Sequence, residues 1–370
     1  MRPALGVAGL GVLLVLVAGT FDAPALYVAA TAFVVLGGGC AGWVWLAARG
    51  VRVRRTLGAR RVVEEEPLDV RVHVRAGRVG LPGGWLHDEV LGDHPDLALG
   101  LRGTRVRINT RFGRRGRRTL PPPRVVVRDP LGLAERVVTD TTAEPDEVLV
   151  LPRVEPVRWH EAGGSRGRAR RSGRAAIAAE VELDGVREHR QGTPASRIYW
   201  PALARGAGLM ERRLRAETDA TPLIVLDARG AATPELEEGL DAAVRATASL
   251  VVAVGQSSGV AVLLPGDRRP TVIDPSLGGW PHLHARLAVV ELGGRPALHA
   301  LGSRIGSVLY VSAAPLGRTP RALAEAPASA RILVVPGTLA GRRPAFSVAG
   351  CHGYDLEPAR APRSVPGAVA

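Results

Sequence analysis

The stretch PLIVLDARGAATPELEEGLDAAVRATASLVVAVGQSSGVAVLLP, residues 222–265, has the pattern of a strand, a helix and a second strand. Its first six letters form a continuous apolar run that ends at Asp227, as expected for a strand buried on both faces of a parallel sheet. Thr233 is a good N-cap, and Pro234 suits the first helical position. Apolar residues at helical spacing then run through residues 236–250, so the stretch predicts an α/β unit.

The same alternation continues beyond this unit. The segments GWPHLHARLAVVE and TPRALAEAPA have helical patterns, SVLYVSAA and RILVVPG have strand patterns, and DRRPTVID resembles a hairpin. Strands that alternate with helices predict a doubly wound parallel sheet with right-handed crossovers. We therefore expect an α/β domain over residues 217–356, followed by a disordered tail over residues 357–370.

A region of period two precedes this domain, at residues 56–155. LDVRVHVRA alternates apolar and polar side chains, TRVRINTRF repeats the pattern, and PRVVVRD and DEVLVLPRV are short β-branched runs. Short strands separated by turn clusters predict an antiparallel, β-sandwich-like domain. The arginine-rich segment at residues 111–137 could bind RNA, but its apolar flanks favour a hairpin of a charged strand, a proline break and a buried strand.

Two long uncharged runs occupy the N-terminal region, residues 1–55. Residues 4–20 and 25–48 are each long enough to cross a hydrocarbon core of about 30 Å, and FDAP between them is a turn. A cleaved signal peptide is the alternative for the first run, but the second run follows too closely to favour it. The sequence therefore predicts a two-helix transmembrane hairpin.

The charges that flank this hairpin indicate its orientation. The flanking arginines are Arg2, Arg49, Arg52, Arg54 and Arg55. The turn contains no arginine, so the positive-inside rule places both chain ends and the soluble domains in the cytoplasm. Gly38 and Gly42 form a small-residue pair that suits either dimerisation or packing within the hairpin.

The net charge of +14 over 370 residues suggests nucleic-acid binding, but other features argue against it. All 49 basic residues are arginine, they are spread along the chain, and only 4% of residues are aromatic, which leaves few stacking platforms. The block EAGGSRGRARRSGR lies in a segment, residues 156–180, that we expect to be a flexible connector. Contact of this connector with anionic lipid stays open.

Three further patterns resemble functional sites, and each has a plainer explanation. GQSSG at residues 255–259 matches a nucleophile elbow, but a helix precedes it and a strand follows, so a helix C-cap turn is expected. His282 and His284 are two residues apart on a helix and face different ways, which disfavours a shared metal. Cys351 beside His352 is expected to be an ordinary packed cysteine.

Asp227 is the best-placed carboxylate, because open α/β sheets bind ligands at the carboxyl ends of their strands. A divalent cation there would need more oxygen ligands, yet Ala228, Arg229 and Gly230 follow and supply no hydroxyl. We therefore predict no metal, no cofactor and no catalytic residue. A hydrolase that uses Asp227 or His189 is the less favoured alternative.

The segment REHRQGTPASRIYWPALARGAGLMERR, residues 187–213, carries a family resemblance. Together with the N-terminal hairpin, RDPLGL and LPRV, it resembles the domain-of-unknown-function 58 family over nearly the whole chain. The matching positions are Arg187, Glu188, Gly192, Arg197, Ile198, Trp200, Ala204, Arg205, Leu209, Met210 and Arg212. The chain departs from the family pattern at His189, Thr193 and Tyr199.

This resemblance implies a von Willebrand factor A-like C-terminal domain. In such domains Asp-x-Ser-x-Ser often holds a metal ion, and here Asp227 remains while both serines are lost. The resemblance also implies a MoxR-type AAA+ ATPase and a transglutaminase-like membrane protein as partners, in complex assembly or cell-envelope processes. No enzymatic activity is implied.

The motif segment, residues 181–216, is expected to join the two soluble domains. Trp200 is predicted to be its buried anchor, and its arginines are predicted to face an acidic partner. The function predicted from the sequence is a membrane-anchored cytoplasmic scaffold or adaptor with a metal-free domain. A protein that binds anionic lipid or nucleic acid is the alternative.

Overall fold

The computed structural model describes residues 2–92, 94–140, 143–160, 183–188, 200, 206, 208, 210–214, 221–297, 305–326 and 328–356. The chain divides into two compact units. The first unit comprises Met1–Gly113 and Arg117–Val150, and the second comprises Arg114–Gly116 and Leu151–Ala370. Each unit is described by itself below.

The first unit begins with two antiparallel helices, α1 (Arg2–Thr20) and α2 (Pro24–Gly50). Both are long and apolar enough to cross a membrane, as the sequence predicts. They approach closely at Gly11 and Gly37, where an added Cβ would lie 2.8 Å from the Ala30 carbonyl oxygen and 2.6 Å from the Ala4 carbonyl oxygen. Neither Gly38 nor Gly42 has a described neighbour within 4 Å of such a Cβ, so this pair does not pack the hairpin.

The last turns of α2 form part of the β-domain core. Val44, Ala47 and Ala48 are buried against that core, and the Ala4 backbone N–H donates to the Leu133 carbonyl at 2.9 Å. Trp43 and Trp45 are each 40% exposed on the same turns of the helix. The last turns of α2 therefore pack on the β-domain as well as forming part of the helical hairpin.

The described part of the β-domain has nine strands in three small sheets. The strands are β1 (Arg52–Leu57), β2 (Arg61–Val63), β3 (Pro67–Arg75), β4 (Gly84–His87), β5 (Gly103–Arg111), β6 (Gly116–Leu120), β7 (Arg124–Arg128), β8 (Glu135–Thr139) and β9 (Asp146–Leu151). Their orders are β1-β3-β5, β2-β9-β6 and β4-β7-β8. The alternation predicted for β3 is confirmed, because Leu68, Val70, Val72 and Val74 face the core.

The arginine-rich segment at residues 111–137 forms strands, but not all of them pair as predicted. The buried strand β7 pairs with β8 across the Asp129–Pro130 turn. The charged strand β6 lies in another sheet, beside β9. Residues 121–123, between β6 and β7, are three consecutive prolines. Their fixed φ and missing N–H groups end the pairing of β6, and the chain enters a different sheet at β7.

Arg55 is a buried charge on β1 that contacts β6, β9 and the residue that follows β4. Its side chain is 1% exposed and contacts Asp88, which is fully buried, at 3.1 Å. Its Nε donates to Asp146 at 2.9 Å, and its Nη2 donates to the Leu120 carbonyl at 2.8 Å. Arg55 is therefore a structural residue of the core, and only the remaining arginines after α2 are free to act as flanking membrane charges.

The second unit contains one large sheet. Its described strands are β10 (Arg158–Trp159), β13 (Leu223–Asp227), β14 (Val260–Leu263), β15 (Thr271–Ile273), β16 (Ile305–Ser312), β17 (Ala328–Pro336), β18 (Phe346–Val348) and β19 (Cys351–Leu356). They lie in the order β10-β18-β19-β17-β16-β13-β14-β15. The four central strands are parallel, as predicted.

Both edges of this sheet are antiparallel. The edge at β15 agrees with the hairpin-like pattern of DRRPTVID, whereas the edge at β18 and β19 is not predicted by the sequence pattern. β15 returns beside β14, and β18 and β19 form a hairpin beside β17. The hairpin turn is Ala349–Gly350, with positive φ angles of 48° and 79°. Two-residue turns of this handedness match the twist of antiparallel strands.

Helices cover the two faces of the sheet unequally. The helix α3 (Pro234–Ser258) and the shorter α4 (Trp280–Ala288) pack on the face that contains Ile224 and Leu226. The opposite face, with Leu223 and Val225, is covered in the described residues by α5 (Arg321–Ala324) and adjoining loops. All five residues of β13 are buried, so the prediction of a strand covered on both faces is confirmed.

The predicted ends of α3 are also confirmed. The Thr233 hydroxyl accepts from the Leu236 backbone N–H at 3.3 Å, and Pro234 is the first helical residue. Gly259 ends the helix with a φ of 73°, and its N–H donates to the Gly255 carbonyl. The GQSSG sequence is therefore a helix terminus and not a nucleophile elbow.

The predicted connector and motif segment are only partly described. Arg158 and Trp159 of the connector pair with β18, and residues 161–180 lie outside the described residues. β11 (Leu183–Glu188) pairs antiparallel with β12 (Met210–Leu214). The tail predicted over residues 357–370 also lies outside the described residues.

Candidate functional site

The carboxyl ends of β13 and β16 form the candidate site. β14 lies on one side of β13 and β16 lies on the other, so the strand order reverses between β13 and β16. Ligands of open α/β sheets bind at such a switch point. The register pairs Asp227 with Ser312 and Val225 with Tyr310, and the strand period of two places Asp227, Ser312 and Tyr310 on one face.

The Asp227 carboxylate is held by groups of its own chain. The Arg229 guanidinium donates from Nη2 to Oδ2 at 2.6 Å and from Nε to Oδ1 at 2.8 Å. The Tyr310 hydroxyl donates to Oδ2 at 2.5 Å, and Arg229 Nη2 also donates to the Tyr310 oxygen at 2.9 Å. Asp227, Arg229 and Tyr310 are called the Asp227 clamp below.

Burial and charge stabilise this arrangement. The Asp227 side chain is only 4% exposed, so its negative charge requires a partner inside the protein. The hydrogen bond with Asp227 raises the pKa of Arg229, and burial together with that carboxylate raises the pKa of Tyr310. At neutral pH the clamp is therefore an ion pair with a protonated tyrosine, and neither Arg229 nor Tyr310 is poised to lose a proton.

The residues around Asp227 do not fit a metal site. The guanidinium of Arg229 occupies the carboxylate face that a cation would use, and a positive charge repels a metal ion. The Ser312 hydroxyl donates to the Ala314 carbonyl at 3.0 Å and also accepts from the Ala314 N–H. Throughout the part of the chain that is described, no three His, Cys, Asp or Glu side chains are grouped to hold a metal.

The two histidines of α4 have separate environments. His282 is exposed, whereas His284 is buried and stacks on Trp280 with ring centroids 4.4 Å apart. His284 Nε2 lies 2.7 Å from the Pro152 carbonyl, which can only accept, so this nitrogen carries the proton. Burial lowers the pKa of His284. The two imidazoles therefore face different environments, as their spacing on the helix predicts.

Cys351 is a core residue. It is fully buried in the layer beneath α3, and burial raises the pKa of its thiol to about 12. A nucleophilic cysteine needs a lowered pKa, so this environment opposes catalysis. His352 follows Cys351 on strand β19, where successive side chains point to opposite faces.

The structure describes the motif residues only in part. Arg187 and Glu188 lie on β11, and Arg212 lies on β12, with Arg187 opposite Glu211 in the register. Gly192, Arg197 and Arg205 lie outside the described residues. The chain therefore brings the two ends of the motif together as neighbouring strands.

The prediction that Trp200 is a buried anchor is wrong. Its side chain is 57% exposed. Single exposed apolar side chains are common on protein surfaces.

Two structural features were missed in the sequence. Tyr310 lies inside the apolar run SVLYVSAA, and only the pairing of β13 with β16 reveals its contact with Asp227. Arg55 could have been found, because it shares the inward period of β1 with Val53 and Leu57. An arginine on the apolar face of a strand indicates a buried ion pair.

Comparison with known proteins gives no assignment. No protein-family model matches this chain, and no curated protein matches it. The resemblance to the domain-of-unknown-function 58 family therefore rests on the sequence motifs alone.

Proposed function

We propose that this protein is a membrane-anchored cytoplasmic adaptor of the domain-of-unknown-function 58 type, not an enzyme. Its α/β unit would be a von Willebrand factor A-like domain in which Arg229 replaces the metal ion. Two helices of sufficient length and apolarity support the anchor. Arg49, Arg52 and Arg54 follow α2, and the turn at residues 21–23 has no arginine, which favours a cytoplasmic location for the soluble units.

The Asp227 clamp is the observation that carries this proposal. A domain that coordinates a metal at the switch point keeps oxygen ligands open, whereas here the carboxylate is engaged by Arg229 and Tyr310. The same engagement weighs against Asp227 as a general base, because substrate would have to displace the guanidinium. His189, the other residue considered for hydrolysis, lies outside the described residues.

The partners proposed are those that the resemblance implies. A MoxR-type AAA+ ATPase and a transglutaminase-like membrane protein would bind the cytoplasmic units during complex assembly or a cell-envelope process. The arginines of the motif segment are the proposed contact, because electrostatic complementarity steers association with an acidic partner. Arg197 and Arg205 are the residues we expect to matter most.

Co-purification tests the adaptor proposal. The full chain in detergent should retain the proposed MoxR-type ATPase, and the double variant Arg197→Glu, Arg205→Glu should lose this retention while remaining folded. Arg318→Glu, a charge reversal at an exposed loop position of the second unit, is the matched control and should retain the ATPase. Equal retention by all three proteins, or hydrolytic activity that Asp227→Ala abolishes without unfolding, would refute the proposal.

A further inference from the structure

The outward face of the sheet β1-β3-β5 is unusually basic. The strand period places alternate residues of the three strands on this face, opposite the buried valines. Its seven arginines are Arg52, Arg54, Arg71, Arg75, Arg105, Arg107 and Arg111. Asp69 is the one carboxylate that these strands place among them. We call this surface the arginine face.

Most of this charge is not neutralised within the described residues. Asp69 contacts Arg71 at 2.7 Å and Arg107 at 2.8 Å, and these hydrogen bonds lower the pKa of Asp69. No ion pair is seen in the described structure for the other five. They are Arg52, Arg54, Arg75, Arg105 and Arg111. The face therefore presents a strong positive field to solvent.

The pairing of the strands increases this repulsion. Arg52 lies directly opposite Arg75, and Arg71 lies directly opposite Arg107. Like charges directly opposite each other destabilise a sheet. An arrangement that opposes folding in this way indicates that the charge serves contact with an anionic surface.

The side chains of the arginine face do not suit nucleic acid. Sheets that bind single strands use aromatic side chains on which bases stack, and none points outward from these strands. The outward residues besides the arginines are Thr56, Pro67, Asp69, His73, Gly103 and Asn109. The face offers charge without a stacking platform.

The position of the face in the chain favours a membrane surface. Arg52 follows Gly50, the last residue of α2, by two positions, so the first arginine of the face is joined directly to a proposed membrane helix. Trp43 and Trp45 are partly exposed on the last turns of that helix, and Arg49 stacks on Trp45 at 3.4 Å. Tryptophan is typical of the membrane–water interface, and lysine and arginine beside it bind anionic headgroups.

We propose that the arginine face binds the anionic phospholipid headgroups of the membrane in which α1 and α2 are anchored. This inference rests on the proposed anchoring and adds to it a specific lipid class and a specific surface. Contact with headgroups would neutralise Arg52, Arg75 and Arg105. It would also hold the first unit down on the bilayer.

Energy transfer in lipid nanodiscs tests this proposal. The full chain, with Cys40 and Cys351 changed to alanine, carries a donor dye at Asn109→Cys on the arginine face, and the lipid headgroups carry an acceptor. Transfer efficiency should be higher in discs that contain phosphatidylglycerol than in discs of phosphatidylcholine alone. Salt at about 0.5 M should remove the difference, because it screens exposed charges.

Two matched variants distinguish an effect of the arginine face from an effect of the total charge of the protein. Arg52→Gln, Arg75→Gln, Arg105→Gln removes three arginines of the face that have no ion pair among the described residues, and it should abolish the lipid-dependent rise. Arg118→Gln, Arg124→Gln, Arg136→Gln removes three exposed arginines of other sheets and should keep it. Loss of the rise in both variants, or no rise in the parent chain, would overturn the proposal.

Two further outcomes identify what has failed. A chain that enters discs and shows no lipid dependence refutes the lipid contact and leaves the anchoring intact. A chain that does not enter discs refutes the anchoring, and the lipid contact with it. Binding of a single-stranded RNA in phosphatidylcholine discs, lost in the face variant, would overturn the lipid proposal in favour of nucleic acid.

Discussion

At two places in this protein, a single arginine side chain pairs with a buried carboxylate. At the carboxyl edge of β13, Arg229 lies two residues after Asp227 and neutralises it, so a position that suits a ligand is closed by the chain itself. In the β-domain, Arg55 is buried and is satisfied by two carboxylates and a carbonyl. Both arginines compensate a buried carboxylate, so removing either arginine alone would leave that carboxylate without its charged partner.

We expect the Asp227 clamp to exclude Mg²⁺ and Mn²⁺. Calorimetric titration of the full chain in detergent should show no micromolar binding of either ion, because the Arg229 charge occupies the carboxylate. The variant Asp227→Ala is the reference and should give the same heats. Tight Mg²⁺ binding by the parent chain that is lost in Asp227→Ala would contradict the closed site.

Arg55→Met should strongly destabilise the first unit. The substitution leaves Asp88 buried without its partner, and breaking a buried ion pair typically costs about 3–5 kcal/mol. Arg54→Met, one residue earlier and exposed, should change stability by less than about 0.5 kcal/mol. Urea titration of the full chain in detergent measures both. Equal stabilities would show that the Arg55 cluster contributes nothing.

His284 should make the second unit sensitive to mild acid. Burial lowers its pKa below the ordinary value of 6.5, although the hydrogen bond to Pro152 opposes this, so the unfolded chain binds the proton more readily. Its contribution to the free energy of unfolding is complete above about pH 6.5 and is lost as the pH falls towards the folded-state pKa. His284→Gln should reduce the loss of thermal stability between about pH 7 and 5. His282→Gln, at an exposed position, should not, and equal acid sensitivity in all three proteins would contradict the assignment.

Helices and strands with strong local signals were predictable, and those that depend on partners were not. Thr233, Pro234 and Gly259 fix the ends of α3 by local hydrogen bonds and backbone conformation, so the sequence was sufficient there. The hairpin β18–β19 has a turn at Ala349–Gly350 that lacks the usual asparagine, and its strands are short, so it was missed. The edge position of these strands follows from the whole sheet and not from any local pattern.

The same distinction applies to the candidate site and to the β-domain. Asp227 was placed at a strand end from the apolar run before it, but the role of Tyr310 depends on which strand lies beside β13. The pairing of β6 with β9 instead of β7 likewise depends on strands far apart in the chain. Non-local pairing carries no signature in a single sequence beyond compatible periodicity.

The helical hairpin should depend on Gly37. A side chain there would meet the Ala4 carbonyl and the Ala8 backbone, whereas at Gly38 no described atom lies within 4 Å of an added Cβ. Gly37→Val should therefore lower the thermal stability of the full chain in detergent, and Gly38→Val should have little effect. A larger effect at Gly38 would indicate that this helix face packs on a second copy of the chain.

The chain as a whole combines a helical hairpin, a β-domain and an α/β unit with a closed site. Two of its helices are long and apolar enough to cross a membrane, and our proposals assign the arginines after α2 and the arginine face to contact with that membrane. The Asp227 clamp occupies the carboxylate at the switch point of the second unit. An adaptor needs an anchor and a surface, and it does not need a catalytic constellation. The proposed function joins these features without a metal or a cofactor.

Both the adaptor proposal and the lipid proposal depend on the orientation of the chain in the membrane. Paired reporters fused after Ala370 measure it in cells, one fluorescent only in the cytoplasm and one enzymatically active only outside. We expect the cytoplasmic reporter to be fluorescent, the external reporter to be inactive, and both fusions to stay with the membrane fraction. An active external reporter, or fusions that are released as soluble protein, would contradict a cytoplasmic adaptor anchored by α1 and α2.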